Sequence, residues 1–148
     1  MKRGKYRPAV FVVVYKIENK KLKYLLLKRK LHWEGWEFPK GGIEFLKTKR
    51  QTVRREVKEE TGLDTIKIKK FNVKGKYPYN KVLPDRPGFI GQNYSLYSAK
   101  VEQGKVKFDK REHSGFEWVT FDKAIKKLTW KNQKECLKIV NDSLRDIN

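Results

Sequence analysis

The chain is poor in cysteine, histidine and acid, and it has no long apolar run. Its one cysteine, Cys136, excludes an intramolecular disulfide and fits a reducing compartment. Its two histidines, His32 and His113, fall in no Ser-His-Asp or Cys-His arrangement, and both read as surface or packing residues. The apolar run nearest the start, "AVFVVVY", is far shorter than the roughly 20 residues of a bilayer-spanning helix. No small-residue cleavage site of a signal peptide follows it. A cytoplasmic protein away from membranes is expected. Repeats, low-complexity tracts and linkers are missing too, so residues 1–148 are expected to form one domain. No run of basic residues reaches five, which excludes a detached basic tail.

What is present is aromatic, apolar and strongly basic. Hydrophobic residues make up 38% and aromatics 13%, too rich for a disordered chain even with 36% charged residues. Thirty-seven Lys and Arg stand against 17 acids, a formal net charge of +20. That balance attracts polyanions such as nucleotides, RNA or acidic lipid, or it belongs to a lysine-coated surface that serves solubility. "PAVFVVVYKI" (8–17) and "KYLLLKRK" (23–30) read as buried strands around the turn "ENKK". Residues 31–45, with Gly35, Pro39, Gly41 and Gly42, read as loop or short strand. Thr48 with Gln51 makes a capping box, and Gly62 suits the left-handed position that ends the helix. Strands are expected over 64–77, 89–101 and 115–121, with a proline-rich loop at 77–88 and two helical patterns in the tail. The order suggests a mixed sheet covered by helices. Cys136 and Trp118 are expected in the core.

Within the helix, Glu56, Glu59 and Glu60 concentrate negative charge in this basic chain. At i, i+3 and i+4 they share one helix face. Crowded carboxylates repel and raise one another's pKa values, and a cation removes both penalties. Oxygen ligands of this kind suit Mg²⁺ or Mn²⁺ bridging to substrate phosphates. The alternative is a solvated acidic face paired with Arg54, Arg55 and Lys58.

From Gly41 the sequence runs G-x5-K-x7-R-E-V-K-E-E-T-G-L, which resembles the Nudix hydrolase signature, G-x5-E-x7-R-E-U-x-E-E-x-G-U, with U a bulky aliphatic residue. Gly41, Arg55, Glu56, Val57, Glu59, Glu60, Gly62 and Leu63 match; the signature's first glutamate is Lys47 here, and the glycine usual before it is Leu46. The resemblance implies an α/β/α sandwich, a mixed sheet flanked by helices in the α/β (α+β) class. It implies a pyrophosphohydrolase using Mg²⁺ or Mn²⁺, with Glu56, Glu59 and Glu60 on the metal and Arg55 orienting them. Glu44 stands as a partial substitute for the lost carboxylate, and a fold that binds without turnover is the alternative that Lys47 leaves open.

The segments "WEFPKGGIE" and "REHSGFEWVTFDKAIKKLTWKNQKECL" are similar to those of diadenosine tetraphosphate hydrolases and RNA 5′-pyrophosphohydrolases. By that likeness Glu112 is a fourth carboxylate, and the Lys40 carbonyl is a further ligand position. Tyr77 and Tyr79, before a "GQ" strand carrying Gln92, either approach a base or pack their loop. Lys28, Arg29, Lys30 and Lys40 are candidate phosphate contacts or solvated surface groups. The expected substrate is a nucleoside polyphosphate, first a dinucleoside tetraphosphate and second an RNA 5′ end. A monomer is favoured, although no spacing sets the oligomeric state.

Overall fold

The computed structural model describes residues 4–44, 46–79 and 83–145. Phe45 and residues 80–82 of the expected 77–88 loop lie outside the described residues. The apolar start becomes β1 (Lys5–Glu18), and a tight turn at Asn19 and Lys20, both with positive φ, leads into β2 (Lys21–Arg29). Two short strands follow, β3 (Gly35–Glu37) and β4 (Lys40–Gly42), and then α1 (Lys49–Thr61). The chain continues through β5 (Thr65–Pro78), β6 (Phe89–Val101), β7 (His113–Val119), α2 (Phe121–Lys127) and α3 (Lys131–Arg145). β5 runs one residue further than expected, and β7 begins two residues earlier.

β1 is apolar from Ala9 to Tyr15 because both its faces are covered there. Val10, Val12 and Val14 pack with Val53 and Val57 of α1. Phe11, Val13 and Tyr15 pack on the other face with Ala124, Leu137 and Val140 of α2 and α3. A half-solvated strand would alternate instead. The result is an α/β/α sandwich in the α+β class around a mixed sheet, in which β1 pairs parallel with β6 and the remaining pairs are antiparallel. No described helix is long and apolar enough to cross a membrane.

One edge of β1 changes partner along its length. Tyr15–Glu18 pair with β2, whereas Ala9–Phe11 pair with β4. β2 parts from β1 there, and its far half pairs with β3 on the edge that β1 vacates and with β7 on the other. The segment 35–42 therefore fills the fork, first beside β2 and then beside β1. α1 is locked in place by its capping box at one end and by Gly62 at φ 75 at the other. Trp118 departs from expectation. Among the described residues β7 pairs only with β2, and the indole is half-buried with the Lys16 ammonium 4.3 Å above its ring. An edge strand has no neighbour to complete its burial.

Candidate active site

The fork and α1 bring the acids together. Glu56 and Glu60, one helical turn apart, are buried, whereas Glu59 between them is 60% exposed in its side chain. Gly41 makes the approach to Glu56 feasible: a Cβ there would collide with the Glu56 carboxyl group, which would have to move aside. Arg55 donates to Glu56 Oε1 at 2.7 Å and to the Gly42 carbonyl at 3.0 Å, and its other nitrogens face Glu44 at 2.7 Å and Glu59 at 3.9 Å. Its guanidinium thus lies among three carboxylates. Glu112 reaches the site from the loop before β7. Its carbonyl accepts from the Lys30 N–H at 2.9 Å, and its carboxylate stands 3.5 Å from Arg29.

Glu60 carries the strongest electrostatic signal. Its Oε2 is buried with no hydrogen-bond partner. Burial, followed by the charges of Glu56, Glu37 and Glu112, pushes its pKa well above the ordinary carboxylate value. Burial also raises Glu56, partly offset by Arg55. Glu60, Glu112 and His113 each offer one ligand atom, all within 4.8 Å of one another. An orphaned oxygen among crowded buried carboxylates is the donor set a divalent cation requires, so the residues fit the metal expected from the signature.

Beneath this cluster lies a hub that sequence reasoning missed. Glu37 of β3 is fully buried. Its Oε2 accepts from Arg29 at 3.1 Å and lies 2.8 Å from His113 Nε2, and its Oε1 is 3.5 Å from the Lys40 ammonium. Burial alone would raise the Glu37 pKa, but Lys40, the His113 hydrogen bond and Arg29 overcome it and hold the carboxyl at about 2. His113 is therefore a packing residue only in part; it is a fully buried partner of an ionised carboxylate. His32, by contrast, is partly exposed and faces Asp85 at 3.2 Å. The Glu37–His113 pair spans 76 residues in sequence, so no local spacing announces it.

Two cavities share a wall here. One, of about 320 Å³, is lined by Glu56, Glu60 and Glu112 together with Arg7, Arg111 and Pro87. The other, of about 450 Å³, is lined by Phe11, Trp33, Tyr77, Tyr79 and Trp130. Arg29, Lys40, Arg86 and Gln92 line both. Tyr77 donates to Gln92 Oε1 at 3.1 Å and accepts from Lys40 at 3.3 Å, while Arg86 donates to the Tyr79 hydroxyl at 3.0 Å. Burial and the neighbouring Arg86 press the Arg7 pKa down, a crowding of cations that an anion would relieve.

A NUDIX domain model matches residues 5–138. The chain belongs to the NUDIX family. Among relatives, an RNA pyrophosphohydrolase of Nitratiruptor sp. is 28% identical over 116 residues, covering 76% of this chain and 75% of that one. A bis(5′-nucleosyl)-tetraphosphatase [asymmetrical] of Sus scrofa is 28% identical over 126 residues, covering 84% and 82%. Among solved structures, a NUDIX hydrolase of Listeria monocytogenes superposes with a TM-score of 0.78 at 23% identity, covering 93% of this chain and 94% of that one. An Ap4A hydrolase of C. elegans gives 0.75 at 21%, covering 95% and 98%. The fold is theirs, and the family and its hydrolase-named relatives mark a Nudix enzyme of the pyrophosphohydrolase type.

Of the Nudix site residues read from the sequence, Glu56, Glu60, Glu112, Arg29, Lys40, Tyr77, Tyr79 and Gln92 all border the two cavities. Arg55 touches them through Glu56. Glu59 and Lys28 do not line either. Glu59 points toward solvent, and Lys28 is exposed opposite Trp36 and Gly115, on the other side of β2 from Arg29. Strand alternation separates the two basic neighbours. Lys47 is exposed, and the Glu44 carboxylate lies 2.7 Å from Arg55.

Proposed function

We propose that this Nudix enzyme hydrolyses a phosphoanhydride bond of a nucleoside polyphosphate, a dinucleoside tetraphosphate such as diadenosine tetraphosphate in the first place. The observation that carries the reading is the shared wall of Arg29, Lys40, Arg86 and Gln92 between an acidic and an aromatic cavity. A polyphosphate spans that wall with its charge among the cations and a base among the rings. Glu56, Glu60 and Glu112, with the Lys40 carbonyl as a further donor, are the residues to hold Mg²⁺ or Mn²⁺. When bound, the cation neutralises phosphate charge and makes a water more acidic. Arg7, Arg29, Lys40 and Arg86 bind and orient the phosphates through charge-assisted hydrogen bonds. One of the three carboxylates takes the proton of the attacking water as general base. Tyr77 or Tyr79 offers a base a stacking surface worth about 1–3 kcal/mol.

A second reading is removal of pyrophosphate from triphosphorylated RNA 5′ ends, favoured by the +20 charge and by relatives carrying that name. The protein, with Mg²⁺ or Mn²⁺, is incubated in parallel with diadenosine tetraphosphate, triphosphorylated oligonucleotide, ADP-ribose and dNTPs, and the products are resolved. Cleavage of the dinucleotide alone supports the first reading. Preference for RNA, weakening steeply with salt, supports the second. Binding without turnover of any of the four refutes both and leaves a nucleotide-binding module.

A further inference from the structure

The outer edge of β5 is strongly basic. Residues 65–84 contain no acid, and Lys67, Lys69, Lys70, Lys74 and Lys76 within them are all exposed. Among the described residues, none of these five lies within ion-pair distance of a carboxylate. The ion pairs gather elsewhere, at Lys16, Lys58, Lys127 and the active site. β5 pairs with β6 on one side, and no described strand covers the other. α1 adds to the same edge. Arg50 and Arg54 reach over to the Ile68 and Thr65 carbonyls. Seven cations of α1 and β5 therefore line an open strand edge. Spread along a strand whose pairing shifts register between Lys70 and Lys74, they make a track rather than a point.

The track leads into the site. Tyr77 and Pro78, the last residues of β5, line the aromatic cavity, and so does Tyr79. Next to the cavity the Lys76 ammonium lies 4.3 Å above the Tyr6 ring, beside Arg7 of the acidic cavity. From Lys67 to Tyr77 the strand rises about 33 Å, at roughly 3.3 Å per residue. Lysines two residues apart repeat about every 7 Å along one face. A file of cations without carboxylate partners among the described residues, with an aromatic ring interleaved and one end in an anhydride-splitting site, suits an extended chain of phosphates. Nonspecific single-strand sites combine such a charged path with stacking rings. A lipid surface is flat and would need the cations on one plane, whereas this edge carries them on both faces of the strand.

We propose that the β5 edge is a binding track for the body of a single-stranded RNA whose 5′ end occupies the active site. The proposal rests on the reading of the site as one that accepts an RNA 5′ triphosphate. The track then makes the enzyme length-sensitive. Affinity for RNA rises as nucleotides are added beyond the first pair and levels off once the strand edge is covered, within the about 4–16 nucleotides typical of such grooves.

The test uses the full chain and a triple variant, Lys70→Ala, Lys74→Ala and Lys76→Ala, none of which lines either cavity. A control triple, Lys123→Ala, Lys126→Ala and Lys138→Ala, removes equally exposed charge from α2 and α3. Binding of labelled single-stranded RNA of two and about 16 nucleotides is followed by fluorescence anisotropy against salt, and turnover of triphosphorylated RNA and of diadenosine tetraphosphate is measured beside it. The β5 triple is expected to weaken the long RNA roughly 10–50-fold and to flatten its salt dependence by about 2, at 0.7 per lost phosphate contact. The dinucleotide RNA, the diadenosine tetraphosphate rate and the control triple change less than about twofold. Equal weakening by the two triples, or a wild type that holds both RNA lengths alike, overturns the track. So does parallel loss of heparin or anionic-vesicle binding by both triples, which would mark charge without a path. Because anisotropy needs no turnover, a protein that cleaves neither substrate sinks the proposed activity and still leaves the track to be judged.

Discussion

Replacing Glu37 by Gln removes one negative charge from beneath Arg29, Lys40 and His113 while leaving the side-chain volume almost unchanged. In the wild type, burial opposes ionisation, yet Lys40, His113 and Arg29 hold the carboxyl at about 2 against an ordinary 4.5. At about 1.4 kcal/mol per pH unit, the folded structure favours the anion by roughly 3 kcal/mol. That value sits at the lower edge of the about 3–5 kcal/mol lost when one partner of a buried ion pair is removed. In a chain of this size it corresponds to a melting temperature lower by roughly 6–12 °C. The sign follows from the depression. A carboxyl whose folded pKa is lowered stabilises above its unfolded value, and the contribution is lost as pH falls through the folded one. The difference between wild type and Glu37→Gln is therefore full above pH 4.5 and shrinks as pH falls toward 2. Urea unfolding of both proteins in chelator, at pH 7 and then at falling pH, measures it. A difference below about 1 kcal/mol at pH 7, or one undiminished near pH 2, refutes the hub as drawn.

Glu60→Gln behaves in the opposite sense without metal. A carboxyl raised by burial and by Glu56 loses its stabilising protonated form as pH rises, so in chelator at pH 8 the variant unfolds later than the wild type. Saturating Mn²⁺ reverses the order, stabilising the wild type by about 2.7 kcal/mol at 100 times its Kd and the variant by little, as thermal unfolding with and without metal will report. In turnover assays Glu60→Gln and Glu56→Gln are expected to cost more than Glu59→Gln, because Glu59 alone of the three is exposed. Leu46 holds φ 64 while 86% exposed, so Leu46→Gly should raise stability by up to about 1 kcal/mol in a denaturant titration. Lys47→Glu returns the signature carboxylate and should raise kcat; an unchanged rate makes that departure incidental.

Much of the architecture was legible because its causes are local. The unbroken apolar run of β1 announces burial on both faces, and Thr48, Gln51 and Gly62 mark the two ends of α1 to within a residue. The glutamates of α1 are legible as a group for the same reason, since helical spacing alone gathers them. Their division is not legible. Glu59 and Glu60 are chemically identical neighbours, and only the packing of α1 over the fork sends one to solvent and the other among carboxylates. Lys28 and Arg29 divide in the same way, through the alternation of a strand whose inner face the sequence does not label.

Taken alone, the amino-acid order determined which segments become strands and helices, the gathering of carboxylates on α1, and the family. Periodicity, caps and a gap-free motif act over a few residues and need no partner. The tertiary structure alone decided the ionised hub of Glu37, Arg29, Lys40 and His113, the burial of Glu60, and the union of an acidic with an aromatic cavity. Each of those depends on β1 exchanging β2 for β4 and on groups up to 76 residues apart meeting in a low dielectric, where a neighbour's charge, and not the residue's own identity, sets its state.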